Sequence, residues 1–349
     1  MILPDYVKKV IAALTEQGHE AYTAGGCVRD ALLGLTPHDY DVTTSATPDE
    51  MRLAFADFSV HDTGLKHGTL TIVVDNVPVE VTTYRIDGVY SDNRRPDCVT
   101  FTRNLYEDLC RRDFTINAMA YNDDSGVTDL LKGREDLANN LIRAVGDPRE
   151  RFREDGLRIL RALRFAATYG LTIEPDTATA ARELRALLQG ISKERIIQEF
   201  NKLILGDVFY VFTEYNDVLS MFLPEVDFAA VAPEVNALPA DRIARLAALF
   251  KPQDSETARK ALKRLKYDRF TLKETCFAVT YRGLSITPRE LAVTGGELYE
   301  SGLRGSAISD TLAQLFQAVI DGKCSNDKRV LLDLCKEFGF AEPAQGKES

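Results

Sequence analysis

Two glycines and two aspartates near the N-terminus restrict this chain more than anything else in it. Gly25-Gly26-Cys27-Val28-Arg29-Asp30 is followed by His38-Asp39-Tyr40-Asp41. A glycine pair lets a chain turn where other residues clash, and a turn that opens a helix leaves free backbone N–H groups that cradle phosphate. Carboxylates at i and i+2 on a strand project from the same face. The two runs together therefore ask for a strand, a tight turn and a helix set beside an acidic strand. They point to a site for a nucleoside triphosphate and Mg2+, with nucleotidyl transfer as the chemistry. Taken alone, Asp39 and Asp41 describe a solvated strand edge better than a metal site; the glycine turn beside them shifts the balance.

Composition bounds the rest. At 349 residues the chain is too long for one ordinary core and suggests several domains. A hydrophobic content of 45% with 28% charged residues describes a soluble globular protein. No apolar run approaches the ~20 residues that span a bilayer. Residues 1–16 mix both charge signs and lack the apolar core of a signal peptide, so a cytoplasmic location without membrane contact is expected. The six cysteines form no CxxC pair, which predicts free thiols rather than zinc. His19, His38, His61 and His67 all precede residue 68, which excludes a histidine-rich metal hydrolase domain further on. A net charge of −10 argues against a broadly basic nucleic-acid coat. It leaves two local basic faces, at 149–164 and at 259–269.

Element signals divide the chain. Val7, Val10, Ile11 and Leu14 have helical spacing, stopped by Gly18. Residues 20–24 read as a strand entering the glycine turn, and Val28, Leu32 and Leu33 as one face of a helix. A strand is expected at 39–43, and Thr47-Pro48-Asp49-Glu50 is a helix start with cap, proline and capping glutamate. Strands at 69–74 and 77–85 should join at Asp75-Asn76, with Val79, Val81 and Thr83 on one face and Glu80, Thr82 and Tyr84 on the other. Residues 87–96 read as a polar loop. This α/β region runs to about residue 135; beyond it helical patterns dominate, with breaks near Gly206-Asp207, 237–241 and 285–289 and fraying at 341–349. The fold class is α+β, a mixed-sheet head followed by all-helical regions.

Asp39 and Asp41 are the candidate metal ligands, because hard oxygen donors suit Mg2+ and two such ions can activate a hydroxyl and neutralise a leaving pyrophosphate. Glu80 is the candidate third carboxylate, with an exposed strand glutamate as the plainer alternative. In Arg111-Arg112-Asp113-Phe114-Thr115-Ile116-Asn117 a guanidinium can fork a phosphate. Asp113 and Asn117, four apart on a helix, could meet ribose hydroxyls; a helix cap with surface charges is the alternative. Glu154-Asp155-x-x-Arg158-x-x-Arg161-x-x-Arg164 reads as one helix with a polar face. Its bland reading is intrahelical salt bridges. The sharper one uses hydrogen-bond valence: cytosine and adenine each present an amino donor beside a ring-nitrogen acceptor. Asp155 can accept from the first while Arg158 donates to the second, and uracil and guanine place oxygen acceptors against the carboxylate.

In this order the motifs resemble the class II tRNA nucleotidyltransferases, the CCA-adding enzymes of the DNA polymerase β-like superfamily. The glycine turn (Gly25, Gly26) with Arg29 is similar to the family's triphosphate motif, Asp39 and Asp41 to its metal pair, and Glu80 to its third acidic position. Arg112, Asp113 and Asn117 resemble the ribose-selecting motif. Asp155 and Arg158, with Arg161 and Arg164, resemble the protein template for C and A, and 192–200 the neck motif. The resemblance implies a catalytic head at 1–135, a base-selecting neck at 136–206, a helical body at 207–285 and a tRNA-binding tail at 286–349. It implies addition of C, C and A to the tRNA 3′ end from CTP and ATP, with Mg2+ as cofactor and pyrophosphate released. The 259–269 patch is a candidate tRNA contact, an ordinary amphipathic helix being its alternative. In the family the flexible 87–96 element serves the switch to ATP, and its presence argues against CC-only addition. A-only addition, poly(A) polymerase activity and a non-catalytic RNA-binding role remain as alternatives.

Overall fold

The computed structural model describes residues 1–90, 96–280 and 290–337. Residues 91–95 of the 87–96 loop, the break expected at 285–289 and the tail 341–349 lie outside the described residues. The chain forms two compact units, Met1–Thr275 and the part from Cys276 onward.

The first unit opens with α1 (Asp5–Glu16), which buries Val7, Val10, Ile11 and Leu14. Gly18 then takes φ +82°. β1 (Ala21–Ala24) leads directly into α2 (Gly26–Leu32). After β2 (Val42–Thr44), α3 (Pro48–Ala54) starts on a complete capping box, Thr47 and Glu50 each accepting from the other's backbone N–H. β3 (Ser59–Gly64), β4 (Thr69–Val74) and β5 (Val77–Thr83) form an antiparallel meander. Asp75 and Asn76, at φ 51° and 64°, make the tight turn between β4 and β5. β6 (Arg85–Asp87) pairs with β7 (Val99–Phe101), followed by α4 (Leu105–Cys110), β8 (Ala120–Asn122) and β9 (Gly126–Thr128). The main sheet runs β3-β4-β5-β2-β1-β8-β9, parallel only between β2 and β5.

One face of this sheet is dry. Val42, Leu70, Ile72, Val79 and Val81 pack with the apolar stripe of α1. The alternate residues of β4 and β5, including Glu80, stand on the open face. Val42 pairs with Val81 and Thr43 with Thr82. Carried back one residue, that register sets Asp41 beside Glu80 on the open face.

Helices follow: α5 (Gly133–Ala138), α6 (Pro148–Glu154), α7 (Leu157–Tyr169), α8 (Pro175–Glu183) and α9 (Lys193–Leu203). The short β10 (Leu141–Ile142) pairs in parallel with β11 (Thr172–Ile173). α10 (Phe209–Glu214), α11 (Asn216–Leu219), α12 (Phe228–Ala237), α13 (Arg242–Leu249), α14 (Ser255–Arg264) and α15 (Arg269–Thr280) continue the chain. Phe200, Phe212, Phe222 and Phe228 meet edge-on at 4.9–6.2 Å between ring centres. Buried Arg245 donates to the carbonyls of Ile204, Gly206, Leu238 and Pro239, groups that helix ends would otherwise leave without partners.

The second unit holds α16 (Gly295–Glu300), α17 (Ser306–Ile320) and α18 (Lys328–Glu337). Leu291, Val293, Leu298, Leu315, Phe316 and Leu331 form its core, and Thr294 with Glu297 forms a second capping box.

Three expected elements differ. The strand expected at 39–43 begins only at Val42, so Asp39 and Asp41 lie on the approach to it. The helix expected to span 154–164 breaks at Asp155, whose backbone is extended at φ −145° and ψ 103°. There the Asp155 carboxylate accepts from Leu157 N, a local bond that competes with the helix ladder. Asp113 and Asn117 share no α-helix; only a single 3-10 turn, Thr115–Asn117, forms there.

Gly206 lies where a Cβ would meet the Ala167 carbonyl oxygen at 2.3 Å. Gly206→Ala should lower the unfolding free energy by about 2 kcal/mol in urea denaturation. Gly190→Ala, with no neighbour within 4 Å of its Cβ, should change it by less than about 0.5 kcal/mol.

Candidate active site

A cleft of about 780 Å3 in the first unit gathers residues from five stretches of chain. The glycine turn, Asp39 and Asp41 line it, as do Arg112, Asp113 and Asn117, then Asp155 with Arg158, Arg161 and Arg164, then Arg195 and Lys202.

The turn explains its glycine. Gly25 takes φ +87°, and a Cβ there would lie 2.8 Å from Arg112 Nη1. The space a side chain would fill is the space the arginine uses.

Asp41 opens to the cleft, yet surrounding protein raises its pKa, and Glu80 and Asp39 raise it further while Arg112 opposes them. Among the described residues, none donates a hydrogen bond to or ion-pairs with the side chains of Asp39, Asp41 or Glu80. Nor do three His, Cys, Asp or Glu side chains there stand together at metal-binding geometry. Carboxylates that repel one another and lack protein donors fit a small hard divalent cation. Such a cation is commonly held by one or two carboxylates with substrate phosphates completing its shell. Glu80 itself faces a second cleft of about 440 Å3, and Arg111 and Arg158 line both.

The opposite wall is a chain of matched charges. Arg29, buried, donates to Asn117 Oδ1 at 2.5 Å, to Asp30 and to the Tyr169 hydroxyl at 2.6 Å. Asn117 Nδ2 donates to Asp113 Oδ1 at 2.9 Å, and Arg161 places Nε and Nη2 on Asp113 Oδ2 at 2.8 and 2.6 Å. Arg161 and Arg164 both pair with Glu199 on α9. The Phe165 ring lies among the guanidinium groups of Arg29, Arg161 and Arg164, at 4.9, 5.3 and 3.8 Å. Burial alone would raise the Asp113 pKa, but Arg161 and Asn117 bring it down to about 2.

Asp108 accounts for the arginine pair. It is wholly buried and accepts from Arg111 Nε at 2.9 Å, Arg112 Nη2 at 3.3 Å and Thr43 Oγ1 at 3.2 Å. Its position three and four residues before the arginines is a helical pairing signal that the sequence carried and the motif reading passed over.

Asp155 and Arg158 line the same cleft; the Arg158 backbone N–H donates to the Asp155 carbonyl at 2.9 Å, but their side chains do not bond each other. Arg195 forks the Asp155 carboxylate, Nη1 to Oδ1 at 3.1 Å and Nη2 to Oδ2 at 2.7 Å. Arg158 pairs with Glu154 and donates to the carbonyls of Arg151 and Arg111, each at 3.1 Å. Arg195 stands 40 positions from its partner, so no spacing rule could have found it.

The expected basic patch at 259–269 is largely neutralised. Arg264 pairs with Glu225, Lys266 with Glu194, and Arg259 and Lys260 with Glu256.

Residues 21–143 match the family model described as poly A polymerase head domain, and 170–214 match the one described as probable RNA and SrmB-binding site of polymerase A. Against the CCA-adding enzyme of Lacticaseibacillus paracasei the chain is 35% identical, with 95% of each chain covered. The chain belongs to the CCA-adding enzyme family. Against the CCA-adding enzyme of Limosilactobacillus fermentum it is 51% identical over 199 residues, 57% of this chain and 49% of that protein. The chain thus spans about half the length of several of the curated relatives it matches. The crystal structure of the Bacillus stearothermophilus CCA-adding enzyme in complex with CTP superposes with a TM-score of 0.65 at 28% identity, covering 97% of this chain and 98% of that one. The head with a mixed sheet, followed by helices, is the family's architecture.

Two outcomes follow from the electrostatics. A raised folded-state pKa means that ionised Asp41 opposes folding above that pKa and that the cost fades as pH falls through it. Asp41→Asn should therefore keep or slightly raise the melting temperature without divalent cation, and abolish any rise that divalent cation gives the parent. A melting point several degrees lower, or an unchanged cation response, would refute the assignment. Asp113 has the opposite sign: its depressed pKa stabilises the fold above about pH 4, and the contribution is lost as pH falls towards about 2. Asp113→Asn should cost about 3 kcal/mol at neutral pH by stripping Arg161 of the nearer of its two carboxylate partners, and the gap to the parent should close across that acid window.

Proposed function

We propose that this chain adds C, C and A in turn to the tRNA 3′ end, using CTP and ATP and releasing pyrophosphate, without a nucleic-acid template. The observation that carries the reading is one cleft. It holds the acid pair, the glycine turn, an arginine wall and Asp155 with Arg158 together. Family membership supports it, as does the superposition on a relative described in complex with CTP.

In this reading Gly25, Gly26 and Arg112 receive the triphosphate. Backbone N–H groups serve at the turn and a guanidinium beside it. Arg29, Asp113 and Asn117 hold one another and so set the wall against which the ribose lies. The terminal ribose hydroxyl attacks the α-phosphate in line, with Glu80 beside Asp41 on the side of the second cleft. Mg2+ held by Asp39 and Asp41 would supply charge neutralisation for the attacking hydroxyl and the leaving pyrophosphate. Asp155 accepts from the amino group of cytosine or adenine and Arg158 donates to the ring nitrogen, while Arg161 and Arg164 hold the helix behind them. A head at 1–135, a neck at 136–206, a body at 207–285 and a tail at 286–349 is the division of labour that goes with this reading. A cytoplasmic location goes with it too; among the described residues no helix is long and apolar enough to cross a membrane.

Nucleotide incorporation on tRNA transcripts ending before CCA, after C and after CC tests the proposal. With CTP and ATP separately and together, ordered addition to all three is expected. Extension of the CC-ended transcript alone, by ATP alone, would make the chain an A-adding enzyme. Repeated A addition without CTP would favour poly(A) synthesis, and no incorporation on any transcript would leave a non-catalytic RNA-binding role.

A further inference from the structure

We propose that Tyr169 is a positioning residue for sugar selection. Its hydroxyl aims the Arg29 guanidinium at Asn117 and so fixes the amide that a ribose meets. The inference rests on the reading that puts Asn117 on the ribose wall.

The geometry starts from Arg29, which is buried, permanently charged and equipped only with donors. Its nearest carboxylate is its chain neighbour: Nε and Nη2 reach Asp30 Oδ1 at 2.9 and 2.7 Å. A pair formed within α2 balances charge but does not set the guanidinium against any other wall of the cleft. Two contacts from outside α2 do that. Nη1 donates to Asn117 Oδ1 at 2.5 Å, and Nη2 donates to the Tyr169 hydroxyl at 2.6 Å. That hydroxyl in turn donates to Asp30 Oδ1 at 3.0 Å, so Arg29, Asp30 and Tyr169 close a ring of bonds. The rings of Phe165 and Tyr169, stacked at 6.0 Å, both lie against the guanidinium, at 4.9 and 4.5 Å.

Asn117 shows what the aim decides. Arg29 only donates and ionised Asp113 only accepts, so together they fix which way the Asn117 amide faces. Among the described residues no other bond reaches that amide. One N–H and one lone pair remain on a side chain that lines the cleft. A ribose hydroxyl, donor and acceptor in one atom, satisfies both, whereas a deoxyribose C–H2 satisfies neither. Without the Tyr169 hydroxyl, Arg29 keeps Asp30 but loses its tie to α7, and Asn117 keeps one fixed partner in place of two. Tyr169 is the last of the 13 residues of α7 and stands 140 positions from Arg29. The helix that carries Arg158 in its first turn thus aims Arg29 from its last.

The test measures Kd for CTP and for 2′-deoxy-CTP with Mg2+ and without tRNA, in the full chain and its Tyr169→Phe variant. No bond is made in that experiment, so its outcome does not depend on transfer. Tyr169→Phe keeps the ring and should weaken CTP about threefold or more, within what one hydrogen bond is worth, while 2′-deoxy-CTP changes less than about twofold. Tyr169→Leu removes the ring too and should lower the preference for CTP at least as far, and a thermal melt of each variant separates the effect from unfolding. An unchanged preference in both variants overturns the proposal. Equal weakening of both nucleotides would make Tyr169 a merely structural residue and overturns it as well. A parent chain that binds both nucleotides alike overturns the ribose wall, and this inference with it. A lowered preference beside failed incorporation on every transcript would sink the transfer reading and leave the role of Tyr169 standing.

Discussion

The buried carboxylate of Asp113 organises the wall of the cleft. An unpaired charge in that place would cost several kcal/mol. It persists because Arg161 takes one oxygen twice while Asn117 and the Phe114 N–H take the other. Each partner has a second obligation. Asn117 receives Arg29 from the helix after the glycine turn, and Arg161 reaches Glu199 on α9. The glycine turn, the segment after α4 and the helices α7 and α9 are thus set by one run of matched donors and acceptors. A change to any member removes a hydrogen-bond partner from another.

The same economy lets a chain of net charge −10 keep a wall of arginines in one cleft. Field depends on where charges sit and not on the net charge alone. Arg111, Arg112, Arg158, Arg161 and Arg164 line the wall, with Asp39 and Asp41 at the floor. The densest basic run outside the cleft, 259–269, has most of its charge answered by Glu194, Glu225 and Glu256. Each of the cleft arginines has a carboxylate partner as well, so the cleft differs from the surface run in how many cationic side chains it gathers and not in leaving them unpaired.

Much of this was legible in advance where local rules decide. The capping box at Thr47, the Asp75-Asn76 turn and the alternation around Glu80 are properties of a few adjacent residues, and each formed as its pattern required. Local rules failed where a side chain had a stronger partner than its helix. Asp155 fits a helical stripe by spacing, but its bond to Leu157 N and its fork with Arg195 favour an extended backbone. Asp113 and Asn117 meet as their spacing suggested, through a direct hydrogen bond and not through a shared α-helix.

The sequence by itself determined which chemistry was possible: paired hard carboxylates, a glycine turn opening a helix, and arginines in closely spaced runs. Those are properties of residue types and short spacings, which survive in any fold that uses them. Only the tertiary structure decided which of these groups face each other. The β2–β5 register set Asp41 beside Glu80, and the crossing of α7 and α9 brought Glu199 to Arg164 and Arg195 to Asp155. Partners 35 to 40 residues apart leave no periodic trace, because the distance between them is fixed by packing and not by the pitch of any one element.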